Sequence, residues 1–418
     1  MRPAIDGIGI VADDLTGGAA IGGEIARLGH VVDVVSLSNT VQPRRSMVVE
    51  TASRYLPADL SAERVKNAVR FLVDAGYAVI MKKIDSTLKG NVATDLAAFA
   101  AGCPGQILIA PSCPEVGLTL RGGLQFTPRG PGISVLDLLS AAMPGSIATL
   151  DIDTIRRGSR AVSQWLRNHP DQMVLADSET EADLTAVAAG AADAGIVSFC
   201  GTYGLGAALA AAYLGPGTTS RYVPPAVDRM IVIAGSASAT TARQITHLTA
   251  AGAEEIVLDV ERILDGEAET EAQRAQDRIS SSAAKVLVVH TAAARTQERV
   301  RRHCDRLGWN ERDLANLFAM PFSAAVRAAA GSAIYFVGGE TTGAVFDRIG
   351  LGALVIRGEC SPAVPLAVGE TVHEWPLILT KPGAFGVDSV LTDAADQLVG
   401  PWHTRTDAAT KTEHPSFQ

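Results

Sequence analysis

From Ile8 to Ala12 the chain reads Ile-Gly-Ile-Val-Ala, then stops on two adjacent carboxylates, Asp13 and Asp14, before Leu15-Thr16-Gly17-Gly18 opens a helical stretch. An apolar run of this kind marks a parallel strand buried on both faces. Open α/β sheets bind ligands just beyond the carboxyl ends of such strands, so two acids at that point suit a polyol, a cation or a proton. The competing reading is that Asp14 only caps the helix, because Asp is a preferred N-cap. Recurrence of the pattern favours a site. Polar clusters end three further strands: Glu50-Thr51-Ala52-Ser53-Arg54 after Met47–Val49, Lys82 to Asn91 after the strand that starts at Tyr77, and Pro111-Ser112-Cys113-Pro114-Glu115 with Arg121-Gly122-Gly123 beyond. Parallel strands deliver such groups to one sheet edge, where carboxylates meet hydroxyls and the cations Arg54, Lys83, Lys89 and Arg121 meet a carboxylate or phosphate.

Strand and helix signals alternate through the first half. Val65, Ala68, Val69 and Leu72 recur at helical spacing between Ser61 and Gly76, and strands follow at Tyr77–Ile84 and Gln106–Ala110. Shorter strands are expected at Met173–Ala176 and Ile196–Phe199, and Gly122–Gly145 reads as loop with one short helix. Breakers cluster at 215–225. Beyond them a second series begins, with strands at Met230–Ala234, Glu255–Val260, Lys285–His290 and Ile334–Val337 and helices at Thr241–Ala251 and Asp313–Ala329. A chain of 418 residues exceeds the size of one core. The expected fold is therefore α/β with two domains, 1–220 and 228–402, each a mainly parallel sheet flanked by helices with the site in the cleft between them, and a polar tail at 403–418.

With 36 basic against 45 acidic side chains, a net charge of −9, the chain has no basic excess to displace phosphate counterions, which argues against nucleic-acid binding. The five cysteines are scattered without zinc-site spacing, as expected of a reducing compartment. No signal-peptide pattern and no apolar run near the roughly 20 residues of a membrane span is visible, so a cytoplasmic protein is expected, and a homodimer is compatible with it.

The second half offers glycine and hydroxyl groups where the first offers charge. Gly235-Ser236-Ala237-Ser238-Ala239-Thr240 and Gly338-Gly339-Glu340-Thr341-Thr342-Gly343 each follow a strand and open a helix, and Lys381-Pro382-Gly383-Ala384-Phe385-Gly386 forms a third loop. Small residues let backbone N–H groups approach phosphate oxygens at a helix N-terminus. A tight turn without ligand is the plain alternative for any single loop; three together favour a nucleotide phosphate site. No Walker-type P-loop occurs. Gly201-Thr202-Tyr203-Gly204-Leu205-Gly206 imitates a dinucleotide fingerprint but lacks the acidic residue that should end the next strand. His290, at a strand end, is the one histidine of note and reads as structural.

These segments, in this order, resemble the four-carbon acid sugar kinase family. The resemblance rests on Ala12 to Gly17, Thr51-Ala52-Ser53-Arg54, Lys82 to Asn91, Ala110-Pro111, Gly235 to Ser238 with Thr240 and Gln244, Gly338 to Gly343, and Lys381 to Gly386. It implies a sugar-acid-binding N-terminal domain, a nucleotide-binding C-terminal domain, and ATP-dependent phosphorylation of the terminal hydroxyl of a tetronate, 3-oxo-tetronate or related branched or longer oxo-acid. Carried over by position, Asp14 and Asp85 are the catalytic candidates. Asp13, Arg54, Lys83, Ser86, Lys89 and Arg121 fall to the substrate; Ser236, Ser238, Gly338, Gly339, Glu340, Thr341, Gly383 and Gly386 fall to ATP, with Glu340 as a direct or water-mediated Mg²⁺ ligand. The chain departs from the family pattern on the substrate side. It has Ala20 where an acid is usual, Lys89 where Arg is common, and Gly117-Leu118 in place of a Gly-Arg step.

The expected chemistry is that Asp14 or Asp85 orients the acceptor hydroxyl and takes its proton while Arg54 and Lys83 hold the acid end. Two rivals remain at this point: a dinucleotide-dependent hydroxy-acid oxidoreductase built on Gly201–Gly206, and a catalytically inactive sugar-acid-binding protein.

Overall fold

The structure, a computed structural model, describes residues 5–402 apart from 38–41, 44, 104, 142–146, 171–172, 218–221, 292 and 370–373. The expected tail at 403–418 lies outside the described residues. Eight parallel strands form the first half, in the order Val32–Ser36, Met47–Glu50, Ile5–Ala12, Tyr77–Lys83, Ser198–Gly201, Ile107–Ala110, Met173–Ala176, Ile147–Leu150. The second half orders Glu254–Val257, Val286–His290, Met230–Ala234, Ala333–Val337 and Ile378–Lys381 in parallel. An antiparallel hairpin, Ala353–Ser361 with Val364–Gly369, completes it. Strand burial explains the apolar runs: every residue of Met47–Glu50, Ile107–Ala110 and Met230–Ala234 is buried.

The two parallel sets are not separate sheets. Ala353–Ser361 pairs antiparallel with Val32–Ser36, fusing both halves into one 15-stranded sheet. Pairing these edges removes two rows of open backbone groups. Across the junction the two sets run in opposite directions, so a flat sheet would put their carboxyl ends at opposite edges. Strand twist of about 20–25° per step, accumulated over the six steps between Ile5–Ala12 and Ala333–Val337, swings the ends toward a common cleft.

Helix Leu15–Arg27 fills the junction and is buried from Leu15 to Ala26. Its glycines permit that close packing: a methyl at Gly18 would sit 2.6 Å from Val48 Cγ1, and one at Gly22 3.1 Å from Ile356 Cγ1 of the hairpin. Helix Ala58–Ala75 buries Ser61, Val65, Ala68, Val69 and Leu72 and ends at Gly76 with φ 99°, a left-handed cap that only glycine adopts freely. The region expected to be loop from Gly122 to Gly145 instead carries strands Leu124–Thr127 and Gly130–Ser134, paired with each other and with Thr119–Arg121 in a separate small sheet, before helix Val135–Ser140. Local composition argued against strand there; the pairing partner overrode it. Among the described residues no helix is long and apolar enough to cross a membrane.

Candidate active site

A cavity of about 990 Å³ opens where the strand ends of both halves meet. Asp14, Arg54, Lys83, Asp85, Ser86 and Lys89 line it from the first half; Ser236, Ser238, Gly338, Gly339, Glu340, Thr341 and Gly383 line it from the second. The two sets touch. A methyl built on Gly339 would overlap Asp14 Oδ2, so the carboxylate lies directly against the turn that opens helix Gly339–Ile349.

Asp14 does cap its helix, accepting from Gly17 N–H at 3.1 Å, and it does more. Oδ1 also accepts from Arg54 Nη2 at 2.8 Å, and Oδ2 accepts from the Thr16 hydroxyl at 2.9 Å. A carboxylate has about four lone-pair sites; the remaining one is on Oδ2, the oxygen that faces Gly339. Asp13 points beneath the cavity, gripped by Arg54 through Nε at 2.8 Å and Nη2 at 3.0 Å. Burial alone would raise the Asp13 carboxyl, yet Arg54, Lys82 and Lys83 hold it well below the usual carboxylate range. Asp85 Oδ2 lies 3.6 Å from Arg54 Nη1, while Oδ1 is tied down by the backbone N–H of Thr87 at 2.9 Å and of Lys89 at 3.3 Å. Arg54 is thus shared among three carboxylates and is only 12% exposed. Its place is that of an organiser of acids, in contrast to the expectation that it grips a ligand's acid end.

Lys83 Nζ donates to the Ile84 carbonyl at 2.8 Å and sits 2.9 Å from where a Gly17 methyl would be, beside Asp14. Lys89 is exposed at the cavity rim, and the buried Ser86 also lines the cavity. Arg121 is not brought in. The small antiparallel sheet carries it away to solvent, 57% exposed and 3.4 Å from Glu179. Gly386 likewise does not line the cavity; its φ of 86° turns the chain so that Gln244 Nε2 can take its carbonyl at 3.1 Å.

On the facing wall the three small-residue loops are laced together. Ser238 caps helix Ala239–Ala250 through Thr241 N–H at 3.1 Å, and the Ser238 and Thr241 hydroxyls both donate to the Gly383 carbonyl, at 2.9 and 2.8 Å. A methyl at Gly383 would overlap Ser236 Oγ, and one at Gly235 would overlap Thr341 Oγ1. Gly338 adopts φ 106° to aim the start of its helix at the cavity. Lys381 lies buried below, donating to the Pro382 and Gly383 carbonyls at 2.9 and 3.3 Å, and burial lowers its ammonium to about 7. Glu340, in the first helical turn, is pushed up to about 7 by burial, with Asp14 adding and Arg312 (3.6 Å away) opposing. A cation beside Glu340 would restore its charge. Mg²⁺ commonly takes one or two protein carboxylates and fills its remaining positions with phosphate oxygens and water. Glu340 fits that use; among the described residues no three acids, histidines or cysteines cluster as a closed metal cage.

Two further carboxylates, Glu50 of the strand-end cluster and Glu359 of the hairpin, lie outside the cavity lining. Glu50, the buried end of its strand, is pushed up to about 8 by burial, with the neighbouring charges of Asp14, Asp347 and Glu340 adding and Arg312 opposing. Behind the cavity, the Ala363 N–H of the second half's hairpin donates to the Tyr203 hydroxyl at 3.3 Å and that hydroxyl donates to Glu24, tying the hairpin to helix Leu15–Arg27; the same Ala363 N–H donates to Glu359 within the hairpin at 2.9 Å. Burial, reinforced by Glu24, pushes Glu359 up to about 8. A folded value above the ordinary 4.5 means that its stabilising contribution is complete below about pH 4.5 and is lost as pH rises through about 8. The melting temperature is therefore expected to fall by a few degrees between pH 6 and 9. Glu359→Gln, which keeps a carbonyl for Ala363 N–H, should flatten that fall in a thermal-shift series.

The Gly201–Gly206 segment is a packing device. A methyl at Gly201 would lie 2.5 Å from the Ala110 carbonyl oxygen, and one at Gly206 2.8 Å from Ile21 Cγ2, so these glycines pack protein against protein. His290 Nε2 donates to Glu255 Oε1 at 2.8 Å.

Two family models match the chain, one described as a sugar-binding N-terminal domain over residues 8–212 and one as a nucleotide-binding C-terminal domain over residues 231–391. A D-threonate kinase of Cupriavidus necator is 30% identical, covering 92% of this chain and 96% of its own. A 3-oxo-tetronate kinase of Methylobacterium radiotolerans is 27% identical over 94% of this chain and 99% of its own. A crystal structure of a Salmonella typhimurium LT2 protein shares the fold, with a TM-score of 0.77 at 21% identity over 94% of this chain and 100% of that one. The chain belongs to the four-carbon acid sugar kinase family and is a carbohydrate-acid kinase.

Proposed function

We propose that this kinase transfers the terminal phosphoryl group of ATP to the terminal hydroxyl of a short sugar acid: a tetronate, a 3-oxo-tetronate or a related branched or longer oxo-acid. The observation that carries the reading is the contact between Asp14 Oδ2 and the Gly338–Gly339 turn: an acid with one open lone pair lies against the loop assigned here to the phosphates. The kinase names of the relatives support the same class. The working division falls between residues 220 and 228, acid on one side and nucleotide on the other.

Phosphoryl transfer asks for positioning and charge neutralisation more than covalent chemistry. The acceptor hydroxyl donates to Asp14 Oδ2 and passes its proton there as its oxygen bonds to the γ-phosphorus; the bond from that phosphorus to the bridging oxygen breaks and ADP leaves. Asp85, which lines the cavity with Oδ2 3.6 Å from Arg54 Nη1, orients the acceptor. Lys83, Lys89 and Ser86 receive the acid end, and Asp13 keeps Arg54 in place behind the pair. The helix starts at Gly339 and Ala239, with Ser236, Ser238 and Thr341, cradle the polyphosphate. Mg²⁺, held through Glu340, supplies charge neutralisation on the phosphate oxygens when bound.

A coupled ADP-release assay over four- and five-carbon aldonic and oxo-acids tests the reading, alongside thermal shift with ATP and ADP against NAD and NADP. ADP formation with at least one acid, and stabilisation by the adenosine phosphates, is the expected result. Stabilisation by NAD alone overturns it. Ligand stabilisation without ADP would instead make this an acid-binding protein. Gly383→Ala forces a methyl onto Ser236 Oγ. Overpacking of this kind costs about 1–3 kcal/mol of folding stability, and because the displaced Ser236 is assigned to the phosphates, nucleotide affinity by calorimetry should weaken as well.

A further inference from the structure

We infer that the acceptor end of the cavity carries a built apolar wall, formed by Ala20, Tyr203, Ala363 and Phe385, which selects a sugar acid bearing an alkyl or deoxy face over its fully hydroxylated counterpart. The inference deepens the kinase reading above and rests on it. All four residues line the cavity. Ala20 stands one helical turn beyond Gly17, on the same face, and Gly17 is the position that abuts both Asp14 and Lys83. The wall therefore begins within a few ångströms of the groups assigned to the acceptor.

Three of the four residues come from loops or elements that approach Ala20 from elsewhere, and each has a polar atom bonded within the protein. Tyr203 is the telling one. Its hydroxyl donates to Glu24 Oε1 and accepts from the Ala363 N–H at 3.3 Å, so the cavity meets the ring and no hydroxyl. Ala363 holds a left-handed φ of 60° in the hairpin turn, with its N–H also donated to Glu359 at 2.9 Å. Phe385 stacks edge-on to Tyr203, ring centroids 6.4 Å apart at 69°, and its carbonyl is taken by Gln244 at 2.9 Å. With Cys113 and Leu118 these side chains form a packed apolar cluster separate from the main cores. Lys83, Asp85, Ser86 and Lys89 line the same cavity. A short acid held by those polar groups meets carbon where it reaches the apolar cluster. A hydroxyl turned to the carbon face has no protein partner, and discrimination against such an unpaired group runs to about ten- to hundredfold.

The test is kcat/KM for ADP release on matched acceptors: D-erythronate and D-threonate against 2,4-dihydroxybutanoate and the 2-C-methyl tetronates, with the wild type and Ala20→Ser. The wild type should prefer at least one deoxy or methyl acid by about tenfold or more. Ala20→Ser, which places a hydroxyl in the wall with almost no added volume, should shrink that preference, chiefly through KM. Preference for the hydroxylated acids, or a preference that Ala20→Ser leaves unmoved, overturns the wall while leaving the kinase intact. ADP release with none of the acids overturns the acceptor reading and the wall together.

Discussion

Asp14→Asn is expected to lower kcat by about 10²–10⁴-fold, the range that a positioned general base contributes, with nucleotide affinity by calorimetry nearly unchanged. The substitution is chosen to isolate chemistry from folding. Asn caps helices as well as Asp does, so the bond to Gly17 N–H is retained and helix Leu15–Arg27 keeps its start. What is lost is the charge on Oδ2, the oxygen against Gly339 that is free to take a proton. Asp85→Asn should act differently, raising acceptor KM along with lowering kcat, because Asp85 is assigned to orientation. Near-normal turnover in both variants with unaltered acceptor binding would show that neither carboxylate acts as assigned.

The largest effect on stability is expected from Arg54→Ala. The guanidinium is nearly buried and answers Asp13, Asp14 and Asp85 at once. Removing one partner of a buried ion pair costs about 3–5 kcal/mol, because the charge left behind is neither paired nor hydrated. Urea denaturation at pH 7 should show a loss of that order, and Arg54→Lys should recover part of it without the bidentate grip on Asp13. The pH dependence fixes the sign. Asp13 titrates in the folded state below its ordinary 3.8, so its contribution is fully present above that value and fades as pH falls beneath it. The deficit of the variant relative to wild type should therefore narrow on acidification below about pH 4. A deficit that is constant with pH would mean that Arg54 stabilises through packing alone.

Much of the site was written into strand ends. Apolar runs that stop on polar clusters marked Asp13-Asp14, Arg54 and Lys82 to Lys89, and the structure places all of these at the carboxyl edge of one parallel set. Strands at Met173–Ala176 and Met230–Ala234 were readable to the residue, because buried parallel strands are uniformly apolar and end abruptly. Arg121 shows where this logic fails. It follows the strand Ile107–Ala110 by eleven residues, and what intervenes is a turn and an antiparallel sheet that carries it outward. Proximity in sequence to a strand end says nothing once the chain has turned.

Glu50 and Arg312 illustrate the converse. They lie 262 residues apart in the chain, and each reads locally as an ordinary strand end and an ordinary helix start. Their mutual influence exists only because helix Glu311–Ala328 and helix Gly339–Ile349 pack beside the first half. The same holds for Tyr203, whose sequence neighbourhood of glycines imitates a cofactor loop but whose hydroxyl is spent on Glu24.

Alone, the sequence determined the two α/β series, the acid-bearing and glycine-bearing edges, and the class of ligand each edge suits, because period, chain breakers and charge act over a few residues. Tertiary structure alone decided that the halves share one continuous sheet, that its twist brings Asp14 against Gly339, and that Arg54 serves carboxylates of its own chain. Those outcomes depend on the register between Ala353–Ser361 and Val32–Ser36 and on helix-to-helix approach, and contacts between residues hundreds of positions apart leave no local periodicity to read.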